Sequence, residues 1–284
     1  MIFWIASYPK SGNTWLRALI SSYYYTKDGM YAESVIKKIG QFPEKRYFID
    51  FNHNKNVVAD TSRFWIEAQK KINLNNKIQF FKTHNAFGSL NNNQFTDNTN
   101  SIGALYVIRD PRNVITSLKN HYELDNEEAL KWMMNESNYI YDVSKFDEDG
   151  YSDFQFVSSW ATNYKSWMVQ KKIPIKVIKY EDLLTKTYVV FKDIVEFINK
   201  ITNNPERINK DKLKNSVNST SFNKLKDKED KNGFSEAITS KKNKKKIPFF
   251  YLGPKNDWKK ILDEDLKTKM NDTFKKNLVE LSYN

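Results

Sequence analysis

The chain has no cysteine, which excludes disulfides, thiolate nucleophiles and cysteine-bound metals. Three scattered histidines, His53, His84 and His121, are too few for an ordinary all-protein zinc site. No stretch approaches the roughly 18 consecutive apolar residues of a membrane span. The first residues, Met1 to Ser7, carry no basic leader before Tyr8-Pro9-Lys10, so they read as structure rather than as a secretion signal. These absences lead us to expect a cytoplasmic protein with no transmembrane segment.

What the chain has is length and positive charge. Its 284 residues can bury a continuous core as one large domain or two modest ones. The formal charge is +12, and Pro205 to Asn284 holds 20 lysines and arginines against 12 acids. That balance suits an anionic ligand, a nucleic acid or an acidic surface, and does not choose among them.

Short apolar runs recur, each followed by helical spacing. Ile2 to Ala6 precedes Trp15, Leu16, Leu19 and Ile20; Ile78 to Phe81 ends at Lys82-Thr83-His84. Ile102 to Ile108 ends at Arg109-Asp110-Pro111, where Pro111 can open a helix bearing Val114, Ile115 and Leu118. Lys172 to Lys179 is a fourth strand candidate, before Val190, Ile194, Phe197 and Ile198. Repeated strand then helix predicts an α/β fold with a central parallel sheet flanked by helices. Ligands of such sheets sit beyond the C-terminal strand ends, where the strongest polar clusters of this chain lie. Asn91 to Asn93 and Asp147 to Gly150 read as loops, and no internal repeat is present. Lys226 to Lys246 is charged and poor in apolar residues, which predicts a mobile segment anchored by Phe234 and Ile238.

The first cluster is Tyr8-Pro9-Lys10-Ser11-Gly12-Asn13-Thr14-Trp15. Backbone amides at a helix start, a lysine, two hydroxyls and a flexible glycine make an anion cradle. The order of the triphosphate loop, with lysine after the second glycine, is absent. In the second cluster Arg109 ends a strand and Ser117 lies on the next helix, so both can reach one phosphate. The third pairs Lys82 with His84 on one side of a strand, and an imidazole can take a proton near neutrality. Each has a plainer reading alone: an ordinary turn, a surface ion pair, a structural histidine. Their convergence at strand ends favours a site.

Together these segments resemble the cytosolic-type sulfotransferases that use 3'-phosphoadenosine 5'-phosphosulfate. Tyr8 to Trp15 resembles the 5'-phosphosulfate loop, Arg109 to Ser117 the 3'-phosphate motif, and Lys82-Thr83-His84 the segment with the catalytic histidine. Tyr180-Glu181-Asp182 and Thr220-Ser221-Phe222 resemble further family segments, in family order across nearly the whole chain. The resemblance implies a single sulfotransferase domain over 1–284, with a nucleotide-binding fold like that of P-loop proteins. It implies 3'-phosphoadenosine 5'-phosphosulfate as sulfonate donor, 3'-phosphoadenosine 5'-phosphate as product, and no metal. It assigns Lys10, Ser11, Gly12, Asn13 and Thr14 to the 5' end, and Arg109 and Ser117 to the 3'-phosphate. Trp15 and Phe222 would bracket adenine, with Tyr180, Thr220, Ser221 and Gly253 nearby. His84 would be the general base, with Lys10 and Lys82 offsetting charge at the transferring group.

One segment departs from the family. Where it has Arg-Lys-Gly and then Gly-Asp-Trp, this chain has Tyr251-Leu252-Gly253 and Asn256-Asp257-Trp258. The two family cations cannot be carried over; Lys255 or a residue from Lys241 to Lys246 could substitute from a mobile lid, but a run of lysines is more often a solvated surface. Residues 121–160 read as an acceptor-site insertion and 226–250 as a mobile basic lid. Met133, Met134, Tyr139, Tyr141, Tyr151 and Phe154 suit a helix-packing surface, or else an adaptable cleft. The expected acceptor is a hydroxyl, or an amine, of a small molecule, lipid or sugar. Alternatives are a nucleotide-binding relative without turnover, a magnesium-dependent phosphoryl-transfer enzyme and a basic nucleic-acid binder. The last leaves the ordered strand-end motifs unexplained, so no nucleic-acid partner is expected.

Overall fold

In the computed structural model, which describes residues 1–240 and 242–283, the first apolar run forms strand β1 (Ile2–Ser7). The polar turn after it leads into helix α1 (Asn13–Tyr25). A two-residue strand β2 (Gly40–Gln41) precedes β3 (Gln79–Thr83), and β4 (Ser101–Ile108) runs into α2 (Pro111–Tyr122). Helix α3 (Trp160–Val169), strand β5 (Ile175–Lys179) and helices α4 (Tyr180–Thr185) and α5 (Thr187–Ile201) follow. Helices α6 (Lys210–Ser219), α7 (Phe222–Asn232) and α8 (Glu264–Glu280) complete the main framework.

The expected α/β architecture is what forms. The sheet order is β2-β3-β1-β4-β5 and every pairing is parallel. Side-chain alternation along a strand explains why the central strands are apolar throughout. Ile2, Trp4 and Ala6 face one core with Ala104, Tyr106 and Ile108, packed by α2, α3 and α8. Phe3 and Ile5 face the other with Leu105 and Val107, covered by α1, α5 and α6. Burying each such side chain contributes about 1.5–3 kcal/mol, so the sheet is a rigid base for the loops at its ends.

Strand order puts the switch point at β1, because the chain goes first to β2 and β3 on one side and later to β4 and β5 on the other. The loops leaving β1, β3, β4 and β5 therefore meet at one end of the sheet. Helix α2 starts as its sequence dictates: the Asp110 side chain accepts from the Arg112 amide at 2.9 Å, and Pro111 takes the first helical position.

The structure adds elements to three stretches. Ser89–Leu90 pairs with Asn93–Gln94 inside the asparagine-rich loop, and a short helix covers Phe146–Asp149. The stretch 226–250, expected to be a mobile basic lid, begins inside α7 and makes packing and hydrogen-bond contacts beyond it. Phe234 is buried against Phe249 and Phe250, with ring centroids 5.0 and 5.2 Å away. Thr239 pairs with Lys246, and the Glu229 carboxylate accepts the amides of Phe249 and Phe250.

Candidate active site

A cleft of about 750 Å³ opens at the C-terminal end of the sheet. Its wall includes Lys10, Gly12, Asn13, Thr14, Trp15, Lys82, His84, Arg109, Ser117, Tyr180, Ser221, Phe222 and Gly253. Segments far apart in sequence thus share one cavity. Two expected residues do not reach the wall. Ser11 is buried within the β1–α1 loop, and Thr220, which caps the C-terminus of α6, is buried with its hydroxyl donated to the Ser216 carbonyl at 2.8 Å.

The β1–α1 loop is shaped by backbone geometry. Gly12 has φ +103°, and a Cβ there would lie 2.5 Å from the Tyr180 ring; only glycine combines that conformation with that contact. Asn13 ties the loop to its strand by donating to the Ile5 carbonyl at 2.9 Å and to Ser7 Oγ at 3.2 Å. Lys10 Nζ sits 4.1 Å from the centroid of Phe249. Burial, opposed by Glu236 and reinforced by Arg109 and Lys82, lowers the Lys10 ammonium pKa to about 7.

Arg109 lies over Tyr180, its guanidinium carbon 4.2 Å from the ring centroid. Its Nη1 donates to the Lys10 carbonyl at 3.1 Å and to Ser117 Oγ at 3.4 Å. The guanidinium thereby joins the first loop to α2. The buried Nε of Arg109 and Nε1 of Trp15, both on wall residues, have no hydrogen-bond partner. Buried polar groups are normally paired, so orphaned atoms around a cationic cleft fit a polyanionic ligand.

His84 is held from three directions. Its amide donates to Gln155 Oε1 at 2.8 Å, its carbonyl accepts from Asn163 Nδ2 at 3.0 Å, and its Nδ1 meets the Ser7 carbonyl at 2.8 Å. A carbonyl only accepts, so Nδ1 carries the proton and Nε2 keeps its lone pair. Burial, with Lys82 nearby, lowers the His84 pKa to about 3, so the ring is neutral at pH 7. His53 is engaged with Phe51 and Ser152, outside the cleft. His121 does line the cleft, and burial lowers its pKa to about 3.

Other wall residues went unnoticed in the sequence. Gln41 lies on a strand too short to show a period, and Lys224 is one lysine among many. Tyr251 and Leu252 line the cleft, whereas Lys242, Lys244, Lys245, Lys246 and Lys255 do not; Lys241 lies outside the described residues. Asn256 accepts from Thr116 Oγ1 at 2.7 Å and donates to Ser117 Oγ at 3.3 Å. Glu236 enters from the basic segment. Its Oε1 lies 2.5 Å from Arg17 Nη1 and 3.1 Å from Lys82 Nζ, and its Oε2 accepts from Thr14 Oγ1 at 2.9 Å. Those cations hold its carboxyl well below the usual range despite burial, which opposes them. None of the six candidate acceptor-lining aromatics and methionines lines the cleft, Met133 and Phe154 being core residues; Tyr122 and Ile140, which were not among them, do reach it.

A family model described as the sulfotransferase domain matches residues 2–282. The chain belongs to this family. Membership and fold support sulfotransfer as its general activity. Among known sulfotransferases, luciferin sulfotransferase of Photinus pyralis is 24% identical, covering 98% of this chain and 72% of that protein. A retinol dehydratase solved with androsterone and the inactive cofactor PAP (3'-phosphoadenosine 5'-phosphate) aligns at TM-score 0.58 and 15% identity, covering 98% of this chain and 80% of that one. A mouse sulfotransferase complexed with PAP aligns at TM-score 0.57 and 18% identity, covering 98% and 83%. At such identities the likeness to these structures establishes the sulfotransferase fold. No helix among the described residues is long and apolar enough to cross a membrane.

Proposed function

We propose that this protein transfers a sulfonate group from 3'-phosphoadenosine 5'-phosphosulfate to a hydroxyl, or an amine, of a small-molecule, lipid or sugar acceptor. The observation that carries this reading is the meeting, in one cleft, of the Lys10 loop, Arg109 with Ser117, and a neutral His84 whose Nε2 is unprotonated. The donor supplies an electrophilic sulfur bonded to a phosphate leaving group. Lys10 and the amides at the start of α1 hold the 5' end, and Arg109 with Ser117 holds the 3'-phosphate. Trp15 and Phe222 flank adenine, with Tyr180, Ser221 and Gly253 beside the nucleotide. As the acceptor oxygen bonds to sulfur, His84 Nε2 takes its proton, and Lys82 and Lys10 offset charge on the departing phosphate.

Tyr251 and Leu252, in place of the family's two cations, favour one further reading: a nucleotide binder without turnover. Calorimetric titration with 3'-phosphoadenosine 5'-phosphate and adenosine 5'-phosphate, then a labelled-sulfonate assay over alcohols, phenols, amines, sugars and lipids, separates the two. Preference for the doubly phosphorylated nucleotide and label on an acceptor support the enzyme. Binding without turnover leaves the binder, and no nucleotide binding by folded protein removes both.

A further inference from the structure

Glu236 is the acid most deeply committed to the cleft, and its three partners are unusual for a structural carboxylate. Its side chain is 24% exposed, against 6% for Arg17 and 14% for Lys82. Thr14 and Lys82 are two groups that the 5' end of the donor needs, and both are already spent on this carboxylate. A carboxylate and a phosphate or sulfonate oxygen compete for the same donors and the same positive field. The two anions cannot hold Thr14 Oγ1 and Lys82 Nζ together, since the hydroxyl has one proton and like charges at such range repel.

The segment carrying Glu236 is built to present it. Helix α7 ends at Asn232, and Gly233, at φ +74° with open space around it, turns the chain. Phe234 then packs on Phe249 and Phe250, so Glu236 is aimed inward from an anchored base. Arg17 is fixed from behind by the carbonyls of Ile36 and Ile39, at 3.5 and 3.0 Å, and its Nε has no partner. Arg17 therefore keeps a buried charge aimed at this point whether or not Glu236 is there.

We propose that Glu236 is a tethered counter-anion that holds the place of the donor's 5' phosphosulfate group, must leave Thr14 and Lys82 for the donor to bind, and so sets donor affinity. This rests on the sulfotransferase reading above. Between turnovers the carboxylate keeps Arg17 and Lys82 paired; with donor bound it turns aside within its own segment, leaving the wall residues Thr14 and Lys82 to the ligand. Glu236 is thus a positioning residue that tunes occupancy and performs no step of the transfer.

The test is titration of the wild-type protein, Glu236→Gln and Glu236→Asp with 3'-phosphoadenosine 5'-phosphate, adenosine 5'-phosphate and adenosine, with thermal melts of each. The glutamine variant should melt lower without ligand, since Arg17 and Lys82 lose their partner, yet bind both 5'-phosphorylated nucleotides about ten- to a hundredfold more tightly. The ratio of their affinities should stay fixed and adenosine binding should not change, which locates competition at the 5' end. The aspartate, too short to reach all three partners, should fall between and serves if the glutamine variant does not fold. Equal or weaker nucleotide binding by the folded variants, with wild-type binding intact, overturns this inference alone and makes Glu236 a structural ion-pair partner. Failure of every form to bind either nucleotide removes the donor-site reading as well.

Discussion

The Nδ1 atom of His84 lies 2.8 Å from the carbonyl oxygen of Ser7, and this contact places the ring proton on Nδ1 and leaves the lone pair on Nε2. Ser7 ends β1 and His84 follows β3, which are paired neighbours, so the sheet's register sets the tautomer. His84→Gln should lower kcat by about 10²–10⁴ while leaving affinity for 3'-phosphoadenosine 5'-phosphate nearly unchanged. Steady-state kinetics and calorimetry of the same preparation check it; a parallel loss of affinity would mean His84 shapes the donor site instead.

The pH dependence should lack the usual histidine limb. With its pKa lowered to about 3 by burial and Lys82, His84 stays neutral from neutrality down to the acid limit of the fold. Its unfolded pKa is ordinary, so the unfolded chain binds the extra proton between those values, and this group makes stability rise with pH there. A kcat profile falling with a midpoint near 6.5 would contradict the assignment.

Lys10 acts at the other end of the range. In the free protein its pKa is lowered to about 7, first by burial, so above that pH a proton must be taken up to pair it with an anion. Donor affinity should therefore weaken by up to about tenfold per pH unit above neutrality, the limit for one linked proton. Calorimetry in buffers of different ionisation enthalpy should register proton uptake at pH 8 and little at pH 6.

Selectivity for the 3'-phosphate is expected to rest on Arg109. Removing a charged hydrogen-bonding group costs about 1.5–3 kcal/mol, so Arg109→Ala should weaken 3'-phosphoadenosine 5'-phosphate by at least tenfold and adenosine 5'-phosphate little. Tyr251→Arg with Leu252→Lys should act oppositely, because both positions line the cleft. A comparable change for both nucleotides would show that these residues do not read the 3' end.

Gly12 offers a steric check. In Gly12→Ala the new methyl would meet the Tyr180 ring at 2.5 Å in a backbone of φ +103°, a conformation that costs an L-residue about 1–2 kcal/mol before any clash. Nucleotide binding should be lost and the melting temperature should fall by several degrees. Gly88→Ala, with nothing within 4 Å of its new methyl, should change neither.

The sequence by itself determined the sheet, its helical cover and the part of the cleft wall that contiguous motifs supply, because these depend on local signals. Apolar runs specify buried strands, and a glycine, a proline or an arginine at a strand end marks the turn that follows. Lys10, Lys82, His84 and Arg109 were legible because they stand in contiguous motifs. Only the tertiary structure decided which polar atoms are spent and which are free. Thr220 belongs to a matching segment, yet its hydroxyl serves the helix it caps. Glu236 carries no motif and sits in a lysine-rich stretch, yet it meets Thr14, Arg17 and Lys82. Such long-range pairings arise from packing between segments hundreds of residues apart, which no local period or spacing encodes. The same reason hides Gln41, which reaches the cleft through strand pairing rather than through any neighbouring residue.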